Sequence, residues 1–200
     1  SLSDSIYIAH LPEPKVEIDS LLFTRQTHVE MSMGMKGINI YYTTDGADPT
    51  EKSSVYSTPL DIDSTCTLKV MAARKGWENS TIAAYSLMHA GIVPLHAVLL
   101  HPPDSAYMAH LDTSLTDLQI GSDASDGNFL GFHGTDLQAT FDLGQRKALS
   151  SVSVGYFENM PGYIMRPTEV EVWGGNGKSG FSKIGGLKIS PADSMVGCGE

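Results

Sequence analysis

The chain has 200 residues, of which 41% are hydrophobic, and it carries a formal net charge of −10 at pH 7. This apolar fraction argues against disorder, and the length allows one or two domains that each bury a core. The acidic charge disfavours nucleic acid and anionic membrane surfaces as partners, and no stretch of about 18 apolar residues predicts a membrane span.

Short segments in which apolar and polar residues alternate predict five strands in the first half of the chain. Gly, Pro, Asn and Asp bound these segments, as is typical of strands joined by turns. No amphipathic helical window of comparable strength is present. The five predicted strands are Val16–Ile18, His28–Met33, Ile38–Thr43, Thr67–Ala73 and Thr81–Leu87.

A connector at residues 89–95 precedes a second series of predicted strands. These are Val98–Leu100, Leu137–Leu143, Leu149–Tyr156, Thr168–Trp173 and Phe181–Ile184. Strands with one apolar and one polar face are typical of antiparallel sheets. Many short strands at a spacing of about 8–12 residues indicate sandwiches or jelly rolls. The sequence therefore predicts an all-β fold.

The first half contains motifs of a known family: Ile40–Thr50, Tyr56 with Pro59-Leu60, and Thr67–Ala72. On these motifs, residues 12–87 resemble the small domain at the C-terminus of chitobiases and β-hexosaminidases, also called the fibronectin-III-associated domain. The resemblance implies an Ig-like β-sandwich over residues 1–88.

The second half contains motifs of another family: Leu115–Asp117, Gly121-Ser122, Asp126–Phe132, Asp136–Gly144 and Val170–Trp173. On these, residues 96–185 resemble a discoidin domain, the coagulation factor V/VIII type C class. The resemblance implies a galactose-binding-like jelly roll over residues 96–200. Such domains usually continue beyond the last residue of this sequence, so we expect either an abbreviated domain or a fragment that lacks the closing strands.

The order of the two domains resembles the C-terminal region of family 20-type β-hexosaminidases of Bacteroidetes. It implies a non-catalytic accessory region of a glycoside hydrolase that is secreted, periplasmic or on the cell surface. The implied partners are the attached catalytic domain and glycans of the hexose or N-acetylhexosamine class. The alternative is a structural spacer, bracing or protein-interaction module that binds no small ligand.

The carboxylates do not suggest catalysis. Glycosidases need two carboxyl groups about 5–10 Å apart. Asp136 and Asp142 would share one face of a strand, but six residues of extended chain separate them by about 20 Å. No nucleophile elbow, phosphate-binding loop or zinc-protease motif is present. We therefore expect that the segment is not an enzyme.

Metal binding is predicted only as an implication of the discoidin resemblance. No two histidines of the second half stand at a spacing that suits zinc, and no cofactor is expected. In discoidin domains a structural calcium often lies at the loop that corresponds to Leu115–Ser122. Calcium prefers oxygen ligands, so Asp117 and Ser122 are the candidate ligands.

The candidate glycan site is a loop at positions 157–166 in the second half. Carbohydrate sites combine an aromatic ring, which stacks on a pyranose, with a few planar polar groups. The loop offers Glu158, Asn159, Tyr163 and Arg166, and His133 could approach from a neighbouring loop. Two alternatives remain: Tyr163 could cap the core, and Arg166 could pair with a structural carboxylate.

Trp173 is expected to be at least partly exposed. Val170 and Val172 would face the core, so Trp173 would share the other face of its strand with Glu169 and Glu171. It could stack on a sugar or on the neighbouring domain.

Overall fold

A computed structural model describes residues 9–121, 126–177 and 180–190. The chain folds as two compact units, Ser1–Gly91 and Ile92–Glu200, and the division falls inside the segment predicted as the connector. The described residues are almost entirely strands and loops, which confirms the all-β prediction. None of the described helices is long and apolar enough to span a membrane.

The first unit contains eight strands within its described residues. They are β1 (Lys15–Ile18), β2 (Leu22–Phe23), β3 (Thr27–Ser32), β4 (Asn39–Thr43), β5 (Ser54–Val55), β6 (Leu60–Ile62), β7 (Cys66–Ala73) and β8 (Ala83–His89). The order β1-β3-β6 forms one antiparallel sheet. The order β2-β8-β7-β4-β5 forms the other, in which only the short β2–β8 pair is parallel.

A hydrophobic core connects the two sheets of the first unit. Strand β3 contributes Val29 and Met31, and the five-stranded sheet contributes the apolar side chains of alternate positions, because successive residues of a strand point to opposite faces. The core residues are Phe23, Val29, Met31, Ile40, Leu68, Val70 and Leu87. This arrangement is a β-sandwich, as predicted for this half of the chain.

The second unit contains two separate two-stranded antiparallel sheets among its described residues. Strands β9 (His96–Leu99) and β10 (Ala139–Asp142) form one, and β11 (Glu169–Gly174) and β12 (Ser182–Lys188) form the other. Short 3₁₀ helices cover Leu111–Leu115 and Met160–Gly162. The discoidin jelly roll therefore stays a prediction.

The predicted strand Leu149–Tyr156 is wrong, since no β-ladder forms over these residues with the described part of the chain. Its apolar side chains instead line one side of a cavity of about 280 Å³ whose other side is formed by β11 and β12. Alternation of apolar and polar residues indicates that one side of a segment faces apolar surroundings. A strand also needs a neighbouring strand to hydrogen-bond with, and alternation does not show whether one is present.

Candidate functional site

Backbone hydrogen bonds close the loop that was predicted to bind glycan. The amide and carbonyl of Asn159 exchange hydrogen bonds with Ile164, at N–O distances of 2.9 and 3.0 Å. Within this closed segment a 3₁₀ turn over Met160–Gly162 brings the Tyr163 amide to the Met160 carbonyl, at 3.1 Å. The tip of the loop is thus held by its own backbone.

The Asn159 side chain stabilises this turn. Its Oδ1 accepts a hydrogen bond from the Gly162 amide at 3.1 Å, as a capping residue does at the start of a helix. A Cβ at position 162 would lie 3.1 Å from Asn159 Nδ2, so glycine allows the close approach. Asn159 therefore has a structural contact inside the loop that the prediction of a glycan ligand did not include.

Tyr163 lies at the tip of the loop and is 87% exposed. Its backbone adopts the left-handed conformation, with φ 59° and ψ 24°, which costs a non-glycine residue about 1–2 kcal/mol. This exposure excludes the alternative in which Tyr163 caps the core. Backbone strain at a residue whose ring is exposed is typical of binding sites.

Glu158 and Arg166 pair with each other across the base of the loop. Arg166 Nε lies 3.4 Å from Glu158 Oε1, and the two side chains are only 18% and 26% exposed. Arg166 thus has the carboxylate partner that the alternative interpretation expected, and that partner is one of the other predicted ligands.

An aromatic contact lies next to the loop. The ring of Phe157 packs on Phe129 with centroids 5.5 Å apart and a tilt of 40°. Phe129 in turn covers Gly121, where a Cβ would approach the ring to 2.2 Å. Because any other residue at 121 would displace Phe129, this glycine is required for the packing of Phe129 on Phe157.

His133 lies in an exposed bend of the second unit. In the described part of the chain no hydrogen bond or ion pair links its ring to Glu158, Asn159 or Tyr163. Its predicted contribution to the glycan site therefore stays a prediction.

The two predicted calcium ligands have different outcomes. Asp117 Oδ1 accepts a hydrogen bond from the Gln119 amide at 2.9 Å, and Oδ2 lies 3.3 Å from His110 Nδ1. Ser122 lies outside the described residues. Over the described ranges no group of three or more acidic, histidine or cysteine side chains could hold a metal ion.

The outer face of β11 and β12 holds a cluster that sequence reasoning found only in part. Trp173 is 52% exposed, and its indole Nε1 donates a hydrogen bond to Glu171 Oε2 at 3.1 Å. Lys183 of β12 approaches the other oxygen of Glu171, with Nζ 2.5 Å from Oε1. The hydrogen bond from Lys183, and then the one from Trp173, lower the pKa of Glu171.

Lys183 joins the cluster because the register changes within the strand pair. Val172 pairs with Gly185, but Trp173 pairs with Lys183, so the register skips Ile184. A bulge of this kind redirects side chains, and sequence alternation alone does not locate it.

Comparison with known families supports the assignment of the first unit. Residues 20–85 match the family model of the chitobiase/β-hexosaminidase C-terminal domain. The match lies within the β-sandwich and is compatible with an accessory segment that is not catalytic. A search of curated proteins found no match to the chain.

Proposed function

We propose that this segment is a non-catalytic accessory region of a glycoside hydrolase and that the loop around Tyr163 binds glycan. The observation that carries the proposal is the exposed ring of Tyr163 on a loop that its own hydrogen bonds hold in place. The family match over residues 20–85 supports the accessory role. The parent enzyme would be β-hexosaminidase-like and secreted, periplasmic or on the cell surface, where glycan substrates are found.

The ring and its surroundings suit a sugar of the hexose or N-acetylhexosamine class. An exposed tyrosine offers an apolar face for the C–H side of a pyranose and a hydroxyl for hydrogen bonding. The Glu158–Arg166 pair positions the base of the loop and offers planar polar groups beside it. One stacking contact supports only weak binding, with a Kd of about millimolar to micromolar.

Affinity electrophoresis tests the site with immobilised galactose- and N-acetylglucosamine-containing polysaccharides. We expect retention by at least one of them and its loss in Tyr163→Ala. Met165→Ala is the matched control, because Met165 is also exposed and lies two residues away in the same loop. Tyr163→Gly is a second variant that removes the ring and suits the left-handed backbone, so loss of retention in both variants points to the ring and not to strain at this position.

Retention that is unchanged in both Tyr163 variants would contradict the assignment of the loop. The second candidate function is a structural spacer or bracing module, which the internal roles of Asn159, Glu158 and Arg166 favour. It predicts no sugar-dependent rise in melting temperature, whereas a ligand that binds the folded state must raise it.

A further inference from the structure

We propose that the outer face of β11 and β12 around Trp173 is a second glycan-binding surface, distinct from the Tyr163 loop. We call this surface the Trp173 face and define it by Glu169, Glu171 and Trp173 of β11 with Lys183 and Lys188 of β12. Its ligand would be a glycan that presents the apolar C–H face of a pyranose. The class of ligand rests on the function proposed above, whereas the choice of residues rests on the contacts of this face.

The indole ring is exposed and oriented before any ligand binds. About half of Trp173 is accessible, and the hydrogen bond from Nε1 to Glu171 restrains the ring on the sheet. A ring that is already restrained loses less conformational entropy on binding, so more of the stacking energy appears as affinity. Rigid strands also position a binding group better than a loop does.

Lys183 keeps Glu171 in its place. Lys183 Nζ contacts Glu171 and lies 3.9 Å from Glu169, and the hydrogen bond to Glu171 raises the pKa of Lys183. The Lys183 side chain passes Gly186, where a Cβ would lie 3.2 Å from Lys183 Cε. The glycine in β12 thus leaves the room that this lysine needs to reach across the sheet.

The charges around the ring select a polar ligand with an apolar face. A protein partner with an apolar surface would have to desolvate the two carboxylates and two ammonium groups of this face, which is unfavourable without new partners. Sugar hydroxyls can donate hydrogen bonds to the carboxylates and accept them from the lysines, while the ring stacks on the pyranose. Phosphate-rich ligands gain no net attraction here, because Glu169 and Glu171 balance the charges of Lys183 and Lys188.

Tryptophan fluorescence tests this surface directly, because Trp77 and Trp173 are the two tryptophans of the chain. In Trp77→Phe the emission reports Trp173 alone. We expect a saturable change in emission when this variant is titrated with the soluble forms of the polysaccharides used for retention. Tyr163→Ala on the same background keeps the signal if the two surfaces are separate.

Affinity electrophoresis then measures the contribution of the ring. We expect Trp173→Ala to weaken retention about three- to tenfold, the value of one aromatic contact, and Trp173→Phe to recover part of it. Because Trp173 is exposed, both variants should keep the unfolding midpoint of the parent. Leu100→Ala, an exposed apolar residue that lies outside β11 and β12, is the control.

The outcomes separate the two proposals. If Trp173 emission stays unchanged and Tyr163→Ala abolishes retention, the proposal for the Trp173 face is overturned and the assignment of the Tyr163 loop is supported. If Trp173 emission changes saturably and Tyr163→Ala leaves retention unchanged, the proposal for the Trp173 face is supported and the assignment of the Tyr163 loop is overturned. If none of the polysaccharides gives retention or an emission change, both proposals are overturned.

Discussion

The two units bury their apolar residues to very different extents. In the first unit two sheets face each other, and Val29, Leu68, Val70 and Leu87 are fully buried. In the second unit many large apolar side chains of the described residues remain exposed, among them Leu95, Leu100, Ile184 and Leu187. Hydrophobic burial is the main favourable contribution to folding, so the first unit should be the more stable of the two.

The two units also differ in how their aromatic residues are held. The aromatic residues that we assign to glycan binding, Tyr163 and Trp173, are both in the second unit. The backbone of Tyr163 is held by the hydrogen bonds of its loop, and the ring of Trp173 is held by its hydrogen bond to Glu171. In the first unit Tyr41 packs with Met71 and Ala73, and Tyr42 packs against the core. Local hydrogen bonds can therefore restrain a surface ring where the surrounding core is sparse.

The largest expected effect comes from removing a core side chain of the first unit. Leu68→Ala should lower the free energy of unfolding by about 2–5 kcal/mol, because Leu68 is fully buried and truncation leaves a cavity. Leu187→Ala should cost about 1 kcal/mol or less, since Leu187 is 56% exposed. Urea unfolding measures both, with Trp77 as the reporter in a Trp173→Phe background and Trp173 in a Trp77→Phe background. Equal losses would contradict the contrast between the units.

A buried hydroxyl in the first unit should give the next largest effect. Thr27 Oγ1 donates to the Ser20 carbonyl at 2.7 Å and accepts from the Ser20 amide at 3.1 Å, and Thr27 is almost fully buried. Thr27→Val preserves the shape but leaves both Ser20 groups without this partner, at a cost of about 1–3 kcal/mol. Urea unfolding compares it with Thr140→Val, an exposed threonine in β10 that should be nearly neutral. A neutral Thr27→Val would show that Ser20 is satisfied by water.

The smallest effect is a dependence of stability on pH in the first unit. The hydrogen bond to Asp61, at 2.8 Å, raises the pKa of His28, and Glu30 adds to the effect. Since the folded state binds this proton more tightly, the stabilisation is fully present below about pH 6.5, the usual pKa of histidine. It is lost as the pH rises through the higher value of the folded state. Unfolding midpoints from pH 5 to 9 should show this loss in the parent and a flatter profile in His28→Gln. Identical profiles would show that the pair has no energetic role.

The sequence predicted the longer strands of the first unit well. The segments His28–Met33, Ile38–Thr43 and Thr67–Ala73 correspond to β3, β4 and β7 within one or two residues. In these strands alternation coincides with a buried face and with paired neighbours. The short strands β2, β5 and β6 were missed, because two or three residues are too few to show a period. The segment Leu149–Tyr156 shows the converse: its apolar and polar residues alternate, but it forms no β-ladder with the described part of the chain.

The candidate site was predictable in its residue types and not in their contacts. The exposure of Trp173 was expected from a strand face that it shares with two glutamates, whereas the sequence left open whether Tyr163 is exposed or caps the core. The Glu158–Arg166 pair, the capping role of Asn159 and the approach of Lys183 to Glu171 depend on where the backbone brings distant or turned segments. The binding roles themselves stay predictions that the variants above can test.

By itself the sequence determined that the chain is all-β, that its first half matches a known accessory domain, and which faces of the long strands are apolar. Those properties follow from local alternation and from motifs that are contiguous in the chain. The tertiary structure alone decided which polar groups pair with each other and that Tyr163 is exposed and does not cap the core. The reason is that a hydrogen bond or an ion pair depends on the relative position of two segments, and on register shifts such as the one at Trp173, which no local pattern encodes.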